Sequence, residues 1–203
     1  MATMDRKEEV RISKLLSYIL RHGAVKEKLA IERDGYIKLS DLLARPKLKG
    51  VTEAQIQYIV ANNDKQRFFL KQDHGDWYIR ANQGHSLRQL DSVDMTPQQT
   101  PLDTVIHGTT LANWHLIQQS GYISRMNRNH IHCAIGLPED NGVISGIRSS
   151  SQVLIYIDMQ KALQDGILFY RSANDVILTD GLDGSLSLKY VSQVVDRDGK
   201  SLL

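Results

Sequence analysis

Apolar residues near the start of the chain recur with the period of an α-helix. From Ile12 they stand at positions i, i+3, i+4, i+7 and i+8 within residues 8–21, which predicts a helix with one buried face. Gly23 follows directly and is expected to end that helix, because glycine is favoured just beyond helix C-termini.

The rest of the first half alternates short helices with short strands. The predicted elements are a turn and strand at 34–39, a helix opened by Ser40 at 40–44, a helix begun by the capping box of Thr52 and Gln55, and a hairpin formed by 67–70 and 77–81. Helices followed by a hairpin is the order of a winged helix-turn-helix, a fold often used on nucleic acids.

The second half is rich in short apolar runs. Strands are predicted at 104–109, 130–136, 153–159, 167–172, 175–181 and 189–196, with one helix at 111–121 ended by Gly121. There is no βαβ rhythm, so the expected class is α+β. Segment 91–103 holds two of the four prolines and is the predicted linker between a domain at 1–90 and another at 104–203.

Composition narrows the class of protein. The chain has 203 residues, of which 41% are hydrophobic and 24% charged, as in soluble globular proteins. No apolar run is long enough for a membrane helix, and the charged first ten residues lack the apolar core of a secretory signal. Cys133 is the only cysteine, which excludes an internal disulfide and favours an intracellular location, cytoplasmic or, in a eukaryote, also nuclear.

Charge divides unevenly along the chain. Residues 1–90 hold 17 Lys and Arg against 11 Asp and Glu, whereas residues 91–203 hold 8 against 12. Chance variation of surface charge is one explanation. The other, favoured here, is a basic half that contacts a polyanion.

Two basic pairs in the first half are candidates for that contact. Arg21 and His22 fall at the predicted helix end, where they either complement the helix dipole or bind an anion. Lys65 and Arg67 have i, i+2 spacing, which on a strand points both side chains to one face. They either meet one anion or protect a sheet edge.

Three polar residues after the hairpin extend the basic set: Arg80, Gln83 and His85. Few aromatic residues that could stack on bases accompany them. Phosphate contact is therefore favoured over the reading of base sequence.

The second half contributes two short motifs. In Ile-His-Gly-Thr at 106–109, His107 is suited to bond a ribose hydroxyl, and Gly108 allows close approach to the backbone. The segment 125–132 holds two arginines and two histidines. His130 and His132 have the spacing for one metal, but no third ligand is evident and the arginines repel a cation, so a phosphate site is favoured.

Other catalytic motifs are missing from the sequence. It has no G-x-G-x-x-G, no P-loop and no G-x-S-x-G. No carboxylate pair stands out as general acid and base either, which leaves electrostatic stabilisation as the expected catalytic device.

Seven motifs in order resemble the RNA 2′-phosphotransferase family of NAD-dependent enzymes. They are LSYILRH (16–22), DGYIKLSDLL (34–43), KQRFFL (65–70), IRANQGHS (79–86), IHGT (106–109), RMNRNHIHCA (125–134) and SANDVILTDG (172–181). The resemblance implies an N-terminal winged-helix lobe and a C-terminal lobe with the ADP-ribosyltransferase fold, a monomer that needs NAD as co-substrate and no metal, and a tRNA substrate carrying a 2′-phosphate.

The resemblance also implies the reaction. The RNA 2′-phosphate attacks C1″ of the nicotinamide ribose and expels nicotinamide. The ribose 2″-hydroxyl then attacks the phosphate, which leaves RNA with a free 2′-hydroxyl and ADP-ribose 1″,2″-cyclic phosphate. Because the substrate phosphate is the nucleophile, such an enzyme mainly needs positioning and charge stabilisation.

Roles for individual residues follow from the same motifs. Arg21 and Arg67 would grip the 2′-phosphate, His22 would orient it, and Arg128 would stabilise the phosphate during transesterification, with Lys65 in support. The expected NAD-binding residues are His107, Gly108, Thr109, His132 and Val176, the last standing where protein-modifying relatives carry Glu. Arg80, Gln83 and His85 are expected to contact RNA, and Arg125 and His130 have no assigned role.

Two alternatives stay open at this point. One is a related transferase that stops after the first step and caps terminal phosphates of nucleic acid. The other is a winged-helix binding protein whose second half only senses a ligand, although a sensor has no need of a phosphate-stabilising arginine.

Overall fold

Helices dominate the first half of the chain and strands the second, so the fold is α+β, as the sequence predicts. The computed structural model describes residues 4–87, 90, 95–140 and 142–203. The chain divides into two compact units, Met1–Asp94 and Met95–Leu203.

The first unit packs helices on a small sheet. Its elements are α1 (Arg6–Tyr18), a π turn (Ile19–Gly23), β1 (Ile37–Lys38), α2 (Leu39–Leu43), a 3₁₀ turn (Pro46–Leu48), α3 (Glu53–Ala61), β2 (Phe68–Asp73) and β3 (Asp76–Ala81). The sheet is antiparallel with order β1–β3–β2. Its core contains the predicted apolar face of α1, including Ile12 and Leu16.

Local signals in this unit are mostly confirmed. Thr52 and Gln55 form a full capping box at α3. The β2–β3 hairpin turns through His74 (φ 48°) and Gly75 (φ 87°), and two positive φ angles match the right-handed twist of the strands.

Three details of the prediction are wrong. The helical segment stops at Gly23 as predicted, but the expected reason is wrong, because Gly23 is the last residue of the π turn and Ala24 after it is still right-handed helical. A Cβ at Gly23 would lie 2.8 Å from the Tyr18 ring, so packing is what requires glycine there. Helix α2 starts at Leu39, with Lys38 and not Ser40 in the N-cap position.

The third error concerns Lys65 and Arg67, which do not lie on a strand. Strand β2 begins only at Phe68, and Gln66 between the two cations has φ 42°. The pair belongs to a turn, so strand alternation does not set where the side chains point.

The second unit is built from short antiparallel strands and two helices. Its elements are β4 (Met95–Pro97), β5 (Ile106–Thr109), α4 (Leu111–Ser120), β6 (Tyr122–Ser124), β7 (Ile131–Cys133), β8 (Val153–Ile157), α5 (Met159–Gln164), β9 (Tyr170–Ser172), β10 (Ile177–Thr179), β11 (Ser185–Ser187), a 3₁₀ turn (Leu188–Tyr190) and β12 (Val191–Asp196). The sheets have orders β4–β9–β10–β7, β12–β8–β5 and β11–β6. A bridge between Ile106 and Ala134 joins the first two.

Several predictions for this unit are confirmed and two are corrected. Gly121 ends α4 in the left-handed conformation, φ 80°. Met159, predicted to end a strand, instead begins α5 with Asp158 as N-cap. Part of the predicted linker, Met95–Pro97, is a strand paired with β9, while residues 91–94 lie outside the described residues.

Among the described residues, no helix combines the length and apolar character needed to cross a membrane.

Candidate functional site

Arg21 and His22 lie in the π turn that follows α1. Such wide turns within helices are rare and occur often at functional sites. Ile19, Leu20 and Gly23 of the turn are buried, whereas Arg21 is partly exposed and His22 exposed. The apolar side of the turn thus anchors it and leaves the two basic side chains on the other side.

The segment after β3 holds this turn in place. His22 Nδ1 and Ser86 Oγ are 2.8 Å apart, and the Ser86 amide donates to the carbonyl of Arg21 at 3.0 Å. Gly84 (φ 87°) lies against the Arg21 side chain, where an added Cβ would be 3.4 Å from Nε. Residues 84–86 therefore fix both members of the basic pair.

Arg67 is held in the turn before β2. Its amide and its Nη1 both donate to Asn63 Oδ1, at 3.0 and 3.3 Å, and its carbonyl accepts from the Asn82 amide. Burial lowers the pKa of Arg67, and Asp64 acts in the opposite direction. Arg67 is thus a partly buried cation set by local bonds, with the partly exposed Lys65 in the same turn.

Of the three residues expected after the hairpin to contact RNA, Arg80 lies instead within β3, and only Gln83 and His85 follow it. The three differ in exposure. Gln83 is partly exposed, but Arg80 and His85 are only 4% and 6% exposed. The Arg80 guanidinium lies 4.7 Å from the Tyr36 ring centre and 5.6 Å from that of Phe69. It stabilises the sheet by cation–π contact, while its expected contact with RNA stays a prediction.

In the second unit, β5 and β7 bring His107 and His132 together. His107 Nδ1 donates to the backbone carbonyl of His132 at 2.9 Å. Burial lowers the His107 pKa, and Arg128 and Arg148 lower it further, although the bond to His132 opposes this. The ring is therefore neutral near pH 7, and its Nε2 is free of a proton. In this form Nε2 can accept a hydrogen bond from a hydroxyl group.

Gly108 is covered by a loop of its own unit. A Cβ at Gly108 would lie 2.8 Å from Ser151 Oγ and 2.9 Å from Ile147 Cγ2. The group that comes close to the Gly108 backbone is thus the loop of residues 147–151, where a ligand was expected from the sequence. Thr109 is 8% exposed, and its carbonyl accepts from the Gln152 amide.

Arg128 closes a tight turn that starts at Arg125. The Arg128 amide donates to the Arg125 carbonyl at 3.1 Å, and Arg125 Nη1 returns a bond to the Arg128 carbonyl at 2.7 Å. Arg125 Nε pairs with Asp180 at 3.0 Å. Arg125, which had no role from sequence, holds the backbone that carries Arg128.

The Arg128 side chain lies in cationic surroundings. Its pKa is lowered first by burial and then by Arg148. Within the described residues, no carboxylate forms an ion pair with Arg128 or with Arg148. Nor is any group of three or more described His, Cys, Asp or Glu residues placed to hold a metal. This arrangement suits an incoming anion, which offsets both charges.

His130 and Val176 lie to the side of this cluster. The His130 ring makes an edge contact with Tyr170, and burial is the main cause of its lowered pKa. Val176 is fully buried, and its amide donates to Ser172 Oγ. The expected contact of Val176 with a cofactor stays a prediction.

Sequence reasoning missed Ser86 and Arg148, which act on His22 and on Arg128. Ser86 belongs to the motif at 79–86 but had no assigned role, and no periodic pattern singles out Arg148. Each acts on residues distant in sequence, which only the fold brings close.

The model of the family described as RNA 2′-phosphotransferase, Tpt1/KptA family, matches residues 7–181. The chain belongs to this family. The matched range of the 2′-phosphotransferase family includes the basic residues Arg21 and Arg67 of the first unit. It also includes His107 and Arg128 of the second unit.

Individual proteins similar to this chain are named as tRNA 2′-phosphotransferases. A Schizosaccharomyces pombe protein whose name describes a tRNA 2′-phosphotransferase is 47% identical over 199 residues, covering 98% of this chain and 54% of that protein. Mouse tRNA 2′-phosphotransferase 1 is 44% identical, covering 94% of this chain and 78% of its own length. The Saccharomyces cerevisiae tRNA 2′-phosphotransferase is 44% identical, with 91% and 84% covered. The chain thus spans about half of the fission yeast relative and most of the other two.

Proposed function

We propose that the protein is an NAD-dependent RNA 2′-phosphotransferase that removes an internal 2′-phosphate from RNA, tRNA in particular. The observation that carries this is a neutral His107 with Nε2 as a hydrogen-bond acceptor, under the charge of an Arg128 that forms no ion pair with a described carboxylate, in a chain of this family.

The first unit is proposed to hold the RNA phosphate. Arg21 and His22 project from one anchored turn and Arg67 from another, and each is fixed by bonds to backbone or polar side chains. Arginines fixed in this way are suited to grip a phosphate with two parallel bonds. Lys65 supports them as a further charge. We further propose that this unit, with three helices before a β-hairpin, is a winged-helix lobe.

The second unit is proposed to bind NAD as a co-substrate, with an ADP-ribosyltransferase-like fold. Its residues fit a dinucleotide: His107 Nε2 accepts from a ribose hydroxyl, the strand that carries Gly108 and Thr109 supports it, and His132 orients the His107 ring through its carbonyl. The arginines offer charge to phosphate oxygens.

In each of the two proposed steps one bond forms as another breaks. A 2′-phosphate oxygen bonds to C1″ of the nicotinamide ribose as the C–N bond breaks and nicotinamide departs with the electron pair. The 2″-hydroxyl oxygen then bonds to phosphorus, the bond to the RNA 2′-oxygen breaks, and the proton passes to that oxygen. Arg128 stabilises the charge that develops on the phosphate in the second step.

We also propose that no metal takes part, because the arginines supply positive charge where a phosphoryl-transfer enzyme would otherwise need a cation. Full activity in excess EDTA is the expected result. Activity that is lost in EDTA and restored by a divalent cation would contradict this point.

The test uses the full chain, NAD and an oligoribonucleotide with one internal 2′-phosphate. Expected products are nicotinamide, RNA with a 2′-hydroxyl and ADP-ribose 1″,2″-cyclic phosphate. Stable ADP-ribosylated RNA as the end product would instead support an enzyme that stops after the first step. Absence of nicotinamide release would overturn the enzyme proposal.

A further inference from the structure

Residues 146–151 form a loop whose shape is set by packing at both ends. Gly146 has φ 120°, and an added Cβ there would lie 2.6 Å from the Ala134 Cβ. Ile147, 5% exposed, packs with Ile106 and Ala134. At the far end Ser151, also 5% exposed, covers Gly108.

One side chain outside the loop fastens its backbone. Arg197, just beyond β12, donates from Nε to the Ser151 carbonyl at 2.7 Å, and from Nη2 to the carbonyls of Ser149 at 2.9 Å and Arg148 at 3.2 Å. A fixed fork of donors suits three carbonyls in one turn. Arg197 lies beyond the residues 7–181 that the family model matches.

The loop presents one cation to the cluster of the second unit. Arg148 is exposed, and its charge acts on both His107 and Arg128. Two guanidinium groups near each other repel, and phosphate oxygens between them remove that cost.

We propose that Arg148 is a second phosphate-binding side chain of this unit and that Arg197 positions it through the loop backbone. This rests on the proposed function and adds two residues to it. The shared ligand chemistry is a phosphate oxyanion, which comes either from the pyrophosphate of the dinucleotide or from the transferred phosphate.

Binding to the full chain separates the two sources. Calorimetry is run with ADP-ribose and, separately, with the 2′-phosphorylated oligoribonucleotide, on the wild type and on Arg148→Ala, Arg148→Lys and Lys200→Ala. Lys200 is an exposed cation of the same C-terminal segment and serves as the matched control.

Arg148→Ala is expected to weaken one ligand by about 10- to 100-fold, the loss of a charge-assisted hydrogen bond, with Arg148→Lys intermediate and Lys200→Ala unchanged. Loss for ADP-ribose supports the pyrophosphate as the source, and loss for the oligonucleotide alone supports the transferred phosphate. Unchanged affinity for both overturns the proposal while leaving the enzyme proposal intact. A wild type that binds neither ligand overturns both.

A double-mutant cycle tests the positioning role. Arg197→Ala is expected to weaken the same ligand by a smaller factor than Arg148→Ala, and the double variant to bind no more weakly than Arg148→Ala alone. A purely structural role predicts instead that the two losses add, and that result would overturn the part assigned to Arg197.

Discussion

Arg125 donates from Nη1 to the backbone carbonyl of Arg128, 2.7 Å away, and so holds the residue proposed to stabilise the transferred phosphate. Replacing Arg125 with Ala leaves the Arg128 guanidinium in the chain but frees the turn beneath it. We expect the second step to slow by about 10- to 100-fold, since small displacements of catalytic groups carry such costs. ADP-ribosylated RNA should accumulate, visible on a denaturing gel.

The control is Asp180→Asn, which removes the ion pair of Arg125 but leaves its bond to Arg128. It should slow the second step only a little, as expected of a partly exposed ion pair. Equal effects of the two changes would show that the ion pair, and not the turn, is what matters.

The contact between Ser86 and His22 gives a second prediction. Ser86→Ala removes the hydroxyl that lies 2.8 Å from His22 Nδ1, and nicotinamide release should slow by about 10-fold, the value of one hydrogen bond. Ser86→Thr keeps the hydroxyl and should restore most of the rate, while exposed Ser40→Ala should not change it. No rescue by threonine would argue against the hydroxyl as the cause.

The lowered pKa of His107 predicts how stability depends on pH. Below about pH 6.5 the unfolded chain binds a proton at this residue while the folded protein keeps it neutral. The free energy of unfolding therefore decreases as the pH is lowered from about 6.5 to the folded pKa. His107→Gln keeps a donor for the His132 carbonyl without titrating. Urea unfolding at about pH 7.5 and about pH 5 should show a smaller loss for this variant than for wild type.

His115→Gln is the matched control, because His115 is exposed on α4. It should lose as much stability between the two pH values as the wild type does. A His107→Gln variant with the full wild-type loss would mean that other groups account for the pH dependence.

Gly146 gives a prediction about folding. Gly146→Ala adds a Cβ within 3 Å of Ala134 at φ 120°, so overpacking of about 1–3 kcal/mol is expected, together with backbone strain. Gly166→Ala also places alanine at a positive φ, 85°, but with nothing within 4 Å, and should lose only about 1–2 kcal/mol. Chemical denaturation measures the free energy of unfolding of both variants. Equal losses would show that packing of the loop against Ala134 is not the cause.

Short-range signals account for what the sequence predicted well. The apolar face of α1, the capping box at Thr52 and Gln55 and the left-handed Gly121 each depend on residues within a few positions. The chemistry of the neighbours settles such features before any tertiary contact forms.

Features that depend on distant residues were out of reach. His22 and Ser86 are 64 positions apart, and Arg197 and Arg148 are 49 apart. Nothing in the periodicity near Lys65 and Arg67 indicated that Gln66 turns the chain at φ 42°. The family motifs named the catalytic candidates, but the residues that hold those candidates came only from the folded chain.

The π turn at Ile19–Gly23 carries a consequence for engineering. Each ring of such a turn encloses one residue more than an α-helical ring, so the helix leaves its regular phase where Arg21 and His22 begin. Shortening the turn by one residue would restore regular hydrogen bonding and rotate the basic pair by about 100°. Selection for thermal stability alone would therefore favour a regular helix that points Arg21 and His22 in another direction, and a stabilised version of this protein has to keep the π turn.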